Sequence, residues 1–384
     1  MYDAPVITYP VISWTEADEV RSARWRSERG APPPKRVVIA DDTINADAAY
    51  HLACEGTAML WRGDYHNAQQ LLQAMARRAD RKPQKAEIAP AEAFNAHRQA
   101  QSQRARILAM LLIPLDQDFS IPLRRAPDFR QACREAYGAE DTHSVTSLRE
   151  LLGIVGAHEW RKKGIEIPAL GQRIYPHYGV YSPVRGEYVG LVAKAPLPTS
   201  TLAFDIGTGT GVLAAVLARR GVARIIATEQ DSRALTCARE NLARLNLAER
   251  VEVMQADLFP PGRAPLVVCN PPWIPARPSS PIERAIYDPE SQMLLGFLNG
   301  LSAHLTPDGE GWLILSDIAE HLHLRSRDAL LNAIEAASLK VLQRMDVRPH
   351  HPRASDETDP LHAARAAEIT SLWRLASADH PKPA

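Results

Sequence analysis

Residues 202–220 read LAFDIGTGTGVLAAVLARR. A short apolar run ends on Asp205-Ile206, glycines then alternate with threonines at Gly207, Thr208, Gly209, Thr210 and Gly211, and a continuous apolar stretch follows. That order predicts a strand over Leu202–Ile206, a tight turn and a helix over Val212–Arg220. Glycine is required in such a turn because the chain must reverse sharply and a ligand must approach the backbone with no side chain in the way. Downstream the alternation continues: a strand at Arg224–Glu229, a helix at Ser232–Leu245, and strands at Val251–Gln255 and Pro265–Cys269. There follow a helix over about 289–304, a strand at Trp312–Ser316, a helix over about 327–337, and strands near Val341–Val347 and Ile369–Leu375. The reading is α/β: a Rossmann-like, seven-stranded, mostly parallel sheet with an antiparallel edge strand, covered on both faces, whose ligands belong at the carboxyl ends of the strands. The last two strands lack a clear helix between them and are expected to pair as an antiparallel hairpin at one edge.

Two ligands compete for the glycine turn. Gly209, Gly211 and Ala214 satisfy the G-x-G-x-x-A pattern of dinucleotide enzymes, and Glu229 falls twenty residues after Gly209. Against this, Asp205 stands two residues before the first glycine, where a carboxylate repels a pyrophosphate but accepts hydrogen bonds from an ammonium group. S-adenosylmethionine carries that ammonium and no phosphate. Glu229 can then accept from two ribose hydroxyls, and Asp257, in Gln255-Ala256-Asp257-Leu258-Phe259, stands where an acceptor for the adenine amino group belongs. The expected cofactor residues are Asp205, Gly207, Thr208, Gly209, Gly211, Glu229, Asp257, Leu258 and Asn270.

The fourth strand runs into Cys269-Asn270-Pro271-Pro272-Trp273. An isolated Asn-Pro-Pro is a turn, but this one stands at a strand's carboxyl end, thirteen residues after Asp257. The chemistry suits a planar nitrogen nucleophile, whose delocalised lone pair makes it weak. The Asn270 side-chain oxygen and the Pro271 carbonyl can take its two hydrogens, the prolines fix the backbone beforehand, and Trp273 offers a flat apolar surface. Asn270, Pro271, Pro272 and Trp273 are therefore the expected catalytic set, acting chiefly by positioning.

Together, the DIGTGTG loop, the acid ending the next strand, ADLF and VCNPPWIP resemble the class I S-adenosylmethionine-dependent methyltransferases of the HemK-like (release-factor glutamine methyltransferase) and small methyltransferase group, over about residues 175–375. The resemblance implies methyl transfer to nitrogen, with a protein glutamine side-chain amide as the first expected acceptor. The alternatives are an exocyclic amino group of adenine or guanine in RNA or DNA, which presents the same flat NH2, and a cofactor-fold binding protein without turnover. Upstream, Tyr178-Gly-Val-Tyr181-Ser-Pro183-Val-Arg185-Gly-Glu187 is similar to the segment leading into that family's catalytic domain, where a proline, an arginine and acids help cover the cofactor. This chain departs in two ways: its motif ends in tryptophan where the family has tyrosine or phenylalanine, and its N-terminal region is about twice the length of a HemK-like recognition domain.

That region, 1–165, is expected to be a substrate-recognition domain preceding a methyltransferase domain at 166–384. A polar leader closes at APPPKR (31–36), and strand–helix alternation follows: Val37–Asp41, Ala46–Cys54, Ala58–Arg62 and Asn67–Arg78. A long polar helix over about 90–106, the apolar run 107–115, and helices at about 129–137 and 147–160 complete an α/β or mostly helical half. Val38-Ile-Ala-Asp41-Asp42 followed by a helix, then Leu60-Trp-Arg-Gly-Asp64 and a helix, faintly resemble a degenerate methyltransferase module without its glycine loop, as found ahead of the working one in ribosomal RNA guanine methyltransferases.

Composition narrows the partners. The 384 residues hold 45 Lys+Arg against 45 Asp+Glu, with +3 net in residues 1–200 and −3 in the remainder, so no global field favours nucleic acid. Eight Lys/Arg against three Asp/Glu in 71–108, including Arg77, Arg78, Arg81 and Lys82, form a local basic stretch that suits a solvated helix face better than an RNA contact. Cys54, Cys133, Cys237 and Cys269 lack metal or redox spacing, and His350, His351 and His362 are better read as loop residues than as ligands, so no metal is expected. The opening residues lack a secretory pattern and no apolar run spans a bilayer, which points to a cytoplasmic protein with no membrane partner. Of the thirty prolines, eight lie between Pro260 and Pro281, around the acceptor motif.

Overall fold

The computed structural model describes residues 9–80, 89–139, 142–349 and 356–379. Arg81, Lys82, His350 and His351 lie outside them. The chain divides into two compact units, one of residues 1–87 with 95–159 and one of 88–94 with 160–384.

The first unit is built on strands β1 (Val11–Glu16), β2 (Glu19–Trp25), β3 (Arg36–Ala40), β4 (Thr57–Trp61), β5 (Leu111–Leu115) and β6 (Ser144–Ser147). Helices α1 (Ala46–Cys54), α2 (Tyr65–Ala79), α3 (Pro90–Leu108), α4 (Arg130–Tyr137) and α5 (Leu148–Lys163) occur between or after them. Its sheet runs β1-β2-β6-β5-β4-β3 and is mixed, so this half is α/β rather than mostly helical. Alternation along the strands sets its faces: Met59, Trp61, Leu111 and Ile113 point into the helix-covered core, while Ala58, Leu60 and Leu112 line a smaller cluster with Ile12 and Trp25. The expected polar leader is instead an antiparallel hairpin. Its exposed face is polar enough to hide the period-two pattern, and its turn places Ala17 and Asp18 at φ 52° and 63°, residues that do not advertise a tight hairpin as Asn-Gly does.

The second unit carries a small hairpin, β7 (Ile165–Ile167) and β8 (Gln172–Ile174), helix α6 (Glu187–Lys194), and then the expected alternation. Strands β9 (Leu202–Ile206), β10 (Arg224–Glu229), β11 (Val251–Gln255) and β12 (Ala264–Cys269) are separated by α7 (Val212–Arg219) after β9 and α8 (Ser232–Arg244) after β10. Helix α9 (Gln292–His304), β13 (Leu305–Ser316), α10 (Ile318–His321), α11 (Arg327–Ala336), β14 (Leu339–Val347), α12 (His362–Ala367) and β15 (Thr370–Ser377) complete it. The sheet order is β11-β10-β9-β12-β13-β15-β14. The first five strands are parallel, and β15 inserts antiparallel to both β13 and β14. The last two strands therefore pair antiparallel as read, with β15 inside and β14 at the edge, but the short helix α12 lies between them where none was expected, because its six residues, His-Ala-Ala-Arg-Ala-Ala, are too few to show a helical period. Order reverses between β9 and β12, which opens a crevice at their carboxyl ends.

The first unit's sheet shows no such reversal among β3, β4 and β5, which follow one another in chain order from the edge.

Parity along the central strands fixes which side chain meets which layer. Ala203, Leu266, Val268, Trp312 and Ile314 pack with α6 and α7, whereas Phe204, Ile206, Val267, Cys269, Leu313 and Leu315 pack with α9 and α11. Asp205 shares the parity of Ala203, so it points toward α7.

Candidate active site

The glycine turn adopts the conformation its composition implies: Gly207, Gly209 and Gly211 have φ of 69°, 56° and 82°. Beside them Asp205 is almost wholly buried, and its Oδ2 accepts from the Thr208 hydroxyl at 2.6 Å and the Ala214 amide at 3.1 Å. Ala214 is in the first turn of α7, so the carboxylate occupies the helix N-terminus, the position a phosphate takes in dinucleotide sites. That slot is filled by the chain itself. Burial pushes the Asp205 carboxyl up to about 6, against the lowering effect of its two donors. Both hydrogen bonds fall on Oδ2, which leaves Oδ1 for a further donor.

Register brings the other candidates to the same turn. Ile206 pairs with Thr228 on β10 and with Cys269 on β12, so Glu229 and Asn270 flank Gly207 from opposite sides. Glu229 Oε2 accepts from the Gly209 amide at 3.1 Å, while its Oε1 accepts from the amides of Gln230 and Asp231 at 2.8 and 3.2 Å. Asp257 is exposed at the end of the next strand and accepts from the Gln230 side chain. Leu258 has φ 64°, and its carbonyl accepts from the buried Thr228 hydroxyl at 2.5 Å.

A cradle for a ligand exists here. A Cβ added at Gly209 would meet nothing within 4 Å, while one at Gly207 would come within 2.6 Å of Met293 Cε. With an open backbone face at Gly209, an ionisable buried acid at one end and two acceptors at the strand ends, the residues suit a ligand that presents an ammonium, hydroxyls and an amino group. S-adenosylmethionine fits this donor set. A pyrophosphate does not.

On the acceptor side, Pro271 and Pro272 are buried and Trp273 is half-buried. The Trp273 indole N–H donates to Asn270 Oδ1 at 2.9 Å, a bond absent from the sequence reading. Arg185 lies over the Trp273 ring, its guanidinium carbon 5.1 Å from the centroid. It donates to Glu187 at 2.8 Å and to Glu368 at 3.0 Å. The structure thus joins Arg185 and Glu187 to the acceptor motif.

Several contributors had no sequence signal. Asp288 is buried and caps α9 through the Met293 and Leu294 amides at 3.0 and 3.1 Å, so the helix expected from 289 begins at 292, after left-handed Glu290 and Ser291. Met293 is thereby set over Gly207. Arg325 reaches the Trp273 carbonyl at 3.3 Å and the Ser291 hydroxyl at 3.2 Å. Glu368, before the last strand, accepts from the Ser316 hydroxyl at 2.6 Å. None belongs to a motif, and only long-range folding brings them together. Among the described residues no group of His, Cys, Asp and Glu is arranged to hold a metal ion, and no helix is long and apolar enough to cross a membrane.

Strand order, the self-filled phosphate slot and the paired acids at a glycine turn define a Rossmann-like nucleoside-cofactor domain of the methyltransferase type. More narrowly, residues 174–335 match the family described as "Methyltransferase small domain". The chain is 33% identical over 178 residues to a release factor glutamine methyltransferase of Cereibacter sphaeroides, covering 43% of this chain and 63% of that protein. It is 34% identical over 154 residues to a tRNA1(Val) (adenine(37)-N6)-methyltransferase of Aeromonas hydrophila subsp. hydrophila, covering 38% of this chain and 64% of that one. It therefore spans a little under two thirds of the length of each. A ribosomal protein L11 methylase from Lactobacillus delbrueckii subsp. bulgaricus superposes with a TM-score of 0.35 at 18% identity, over 50% of this chain and 78% of that one.

Proposed function

We propose that this protein is an S-adenosylmethionine-dependent N-methyltransferase acting on a planar NH2 group, with a glutamine side-chain amide of a protein as the first choice. The observation that carries the reading is the placement of Asn270 beside Gly207, across the β9–β12 crevice from Glu229. Asp205, Glu229 and Asp257 would hold the ammonium, ribose and adenine of the cofactor, with Gly207, Thr208, Gly209, Gly211 and Leu258 as its backbone bed. When bound, the cofactor supplies an electrophilic methyl on a sulfonium. The chain's own residues orient the acceptor. Asn270 Oδ1, which keeps a lone pair after accepting from Trp273, takes one N–H, and the Pro271 carbonyl takes the other. This holds the nitrogen lone pair toward the donor and favours pyramidalisation. Pro271 and Pro272 set that geometry beforehand, and the acceptor loop needs no strong base, because the methylated nitrogen sheds its proton afterwards.

The named relatives support both acceptor classes. One set modifies a release factor and another tRNA, at nearly equal identity. The amide comes first because that match is the longer; the tRNA relatives favour an adenine amino group as the second reading. Labelled S-adenosylmethionine incubated with the protein and a cell extract, followed by protease or ribonuclease, separates them. Label lost to protease supports the amide, and label lost only to ribonuclease overturns it in favour of the base. Asn270→Ala should keep cofactor affinity within about twofold while transfer falls at least a hundredfold.

A further inference from the structure

Asn270 can serve an acceptor only if its amide oxygen, not its NH2, faces the incoming nitrogen. An asparagine side chain free to turn over would present donor to donor half of the time. The structure contains a device against this. An indole N–H is a donor only, so its 2.9 Å bond to Asn270 identifies the oxygen and fixes the amide plane. A tyrosine or phenylalanine ring at 273 has no ring N–H to supply.

Trp273 is itself clamped. The Arg185 guanidinium lies 5.1 Å from its ring centroid, and the Arg325 guanidinium reaches its carbonyl at 3.3 Å. Arg185 is in turn held by Glu187 Oε1 at its Nε, 2.8 Å, and by Glu368 Oε1 at its Nη2, 3.0 Å. The Glu368 side chain is only 1% exposed, and the Ser316 hydroxyl donates to the same Oε1 at 2.6 Å. Ser316 ends β13 and pairs with Thr370 at the start of β15, two residues after Glu368. The clamp is therefore anchored on two packed strands rather than on the loop it steadies. A buried carboxylate depends on its partners, and Oε1 of this one has two, a guanidinium and a hydroxyl.

We propose that Trp273 is a positioning residue that fixes the Asn270 amide, and that Glu368 acts through Arg185 to fix Trp273. This deepens the reading of Asn270 as the acceptor-binding residue and rests on it. No proton or electron moves through the chain of contacts. Its effect is a narrower range of Asn270 orientations, which should appear in kcat rather than in cofactor affinity.

The test uses the full-length protein labelled with 15N. The Trp273 indole resonance is the one missing from Trp273→Phe. Its N–H should exchange with solvent at least tenfold more slowly than that of exposed Trp160. Protection should vanish in Asn270→Ala and fall at least threefold in Glu368→Gln. If Glu368→Gln does not fold, Arg185→Lys replaces it, because lysine keeps the charge but cannot span both carboxylates. With a turnover assay in hand, Trp273→Phe should lower kcat about tenfold or more, with the cofactor Kd within twofold. Adding Glu368→Gln to Trp273→Phe should cost no more than a further factor of two, since both changes act through one side chain. An indole that exchanges equally fast in wild type and Asn270→Ala overturns the proposal, as do multiplicative losses in the double variant. The exchange measurement needs no acceptor, so failure to methylate any extract would refute the proposed function while the clamp is judged separately.

Discussion

Asp205 carries two demands that conflict. It caps α7 from the adjacent strand end, and as the proposed ammonium acceptor it would have to stay charged, yet burial raises its carboxyl from the ordinary 3.8 to about 6. Because the folded-state value is raised, the native protein binds more protons than the unfolded chain between about pH 4 and 6. Stability from this group is thus gained on acidification and lost as pH rises through about 6. At pH 7 the cost is on the order of 2–3 kcal/mol. Asp205→Asn keeps an oxygen that can accept from Thr208 and Ala214 while removing the buried charge. The cofactor-free variant should melt several degrees higher at pH 7, and calorimetric titration should show affinity for S-adenosylmethionine reduced at least tenfold. In the wild type, affinity should decline as pH drops through about 6, with a flat profile in the variant. A variant that melts lower, or a wild-type affinity unchanged from pH 8 to 5, would remove this account of Asp205. The residue itself was legible in the sequence from its place before the glycines. Its capping bond was not, because the helix it caps begins only after the turn has folded back.

At the scale of elements, the glycine turn separates backbone demand from ligand demand. Gly209 and Gly262 both have positive φ, 56° and 96°, and neither would meet an atom within 4 Å if given a Cβ. Alanine at either position carries a backbone penalty of about 1–2 kcal/mol. Only Gly209→Ala also places a methyl over the backbone face proposed to receive the cofactor. Melting temperatures should therefore drop comparably in the two variants, whereas calorimetric titration should find at least a tenfold loss of affinity in Gly209→Ala alone. Equal affinities would mean that the open face is not the cofactor bed. The elements show what the sequence could and could not reveal. Strands β9, β10 and β11 have the bounds the alternation predicts: β9 and β10 are short, largely buried runs with apolar residues pointing both ways, and β11, at the sheet edge with only Val251 buried, keeps an apolar run of Val253 and Met254 bounded by polar residues. Strand β13 begins at Leu305, not Trp312: Leu305 pairs with Ala264, the register then shifts across the turn residues Thr306-Pro-Asp-Gly309, and the ladder resumes with Glu310 opposite Leu266, a break that hides the strand's start in the sequence. The start of α9 differs from the sequence expectation because Pro289 is a good first helical residue, but Asp288 places its two oxygens on amides one turn further on. Asn270 was legible because proline restricts its neighbours whatever the context. Glu368 and Arg325 are ordinary charged residues until strands far apart in sequence meet.

Across the whole molecule, each unit has its own apolar interior, and every residue assigned to cofactor or acceptor lies in the second. Overall charge gave little guidance, since +3 and −3 describe no field strong enough to name a partner. The proline excess gave more: the cluster from Pro260 to Pro281 brackets the loop that presents Asn270. The division of labour can be tested with paired core truncations. Leu111 and Leu266 are both fully buried central-strand leucines, one in the core of the first unit and one beneath α7 in the second. Replacing either with alanine removes the same methyl groups and should cost roughly 2–5 kcal/mol. For Leu266→Ala the loss falls on the strand that leads into Asn270 and pairs with β9 at Ala203. Loosening there should widen the crevice and weaken cofactor binding at least threefold at a temperature where the variant is still folded. For Leu111→Ala, cofactor affinity should stay within twofold despite a similar stability loss, and any fall in activity should appear as a higher KM for the methyl acceptor. Calorimetric titration and urea unfolding on the same preparations give both readouts. A Leu111→Ala variant that loses cofactor affinity as Leu266→Ala does would show that the first unit helps to build the cofactor site rather than only to select what is methylated.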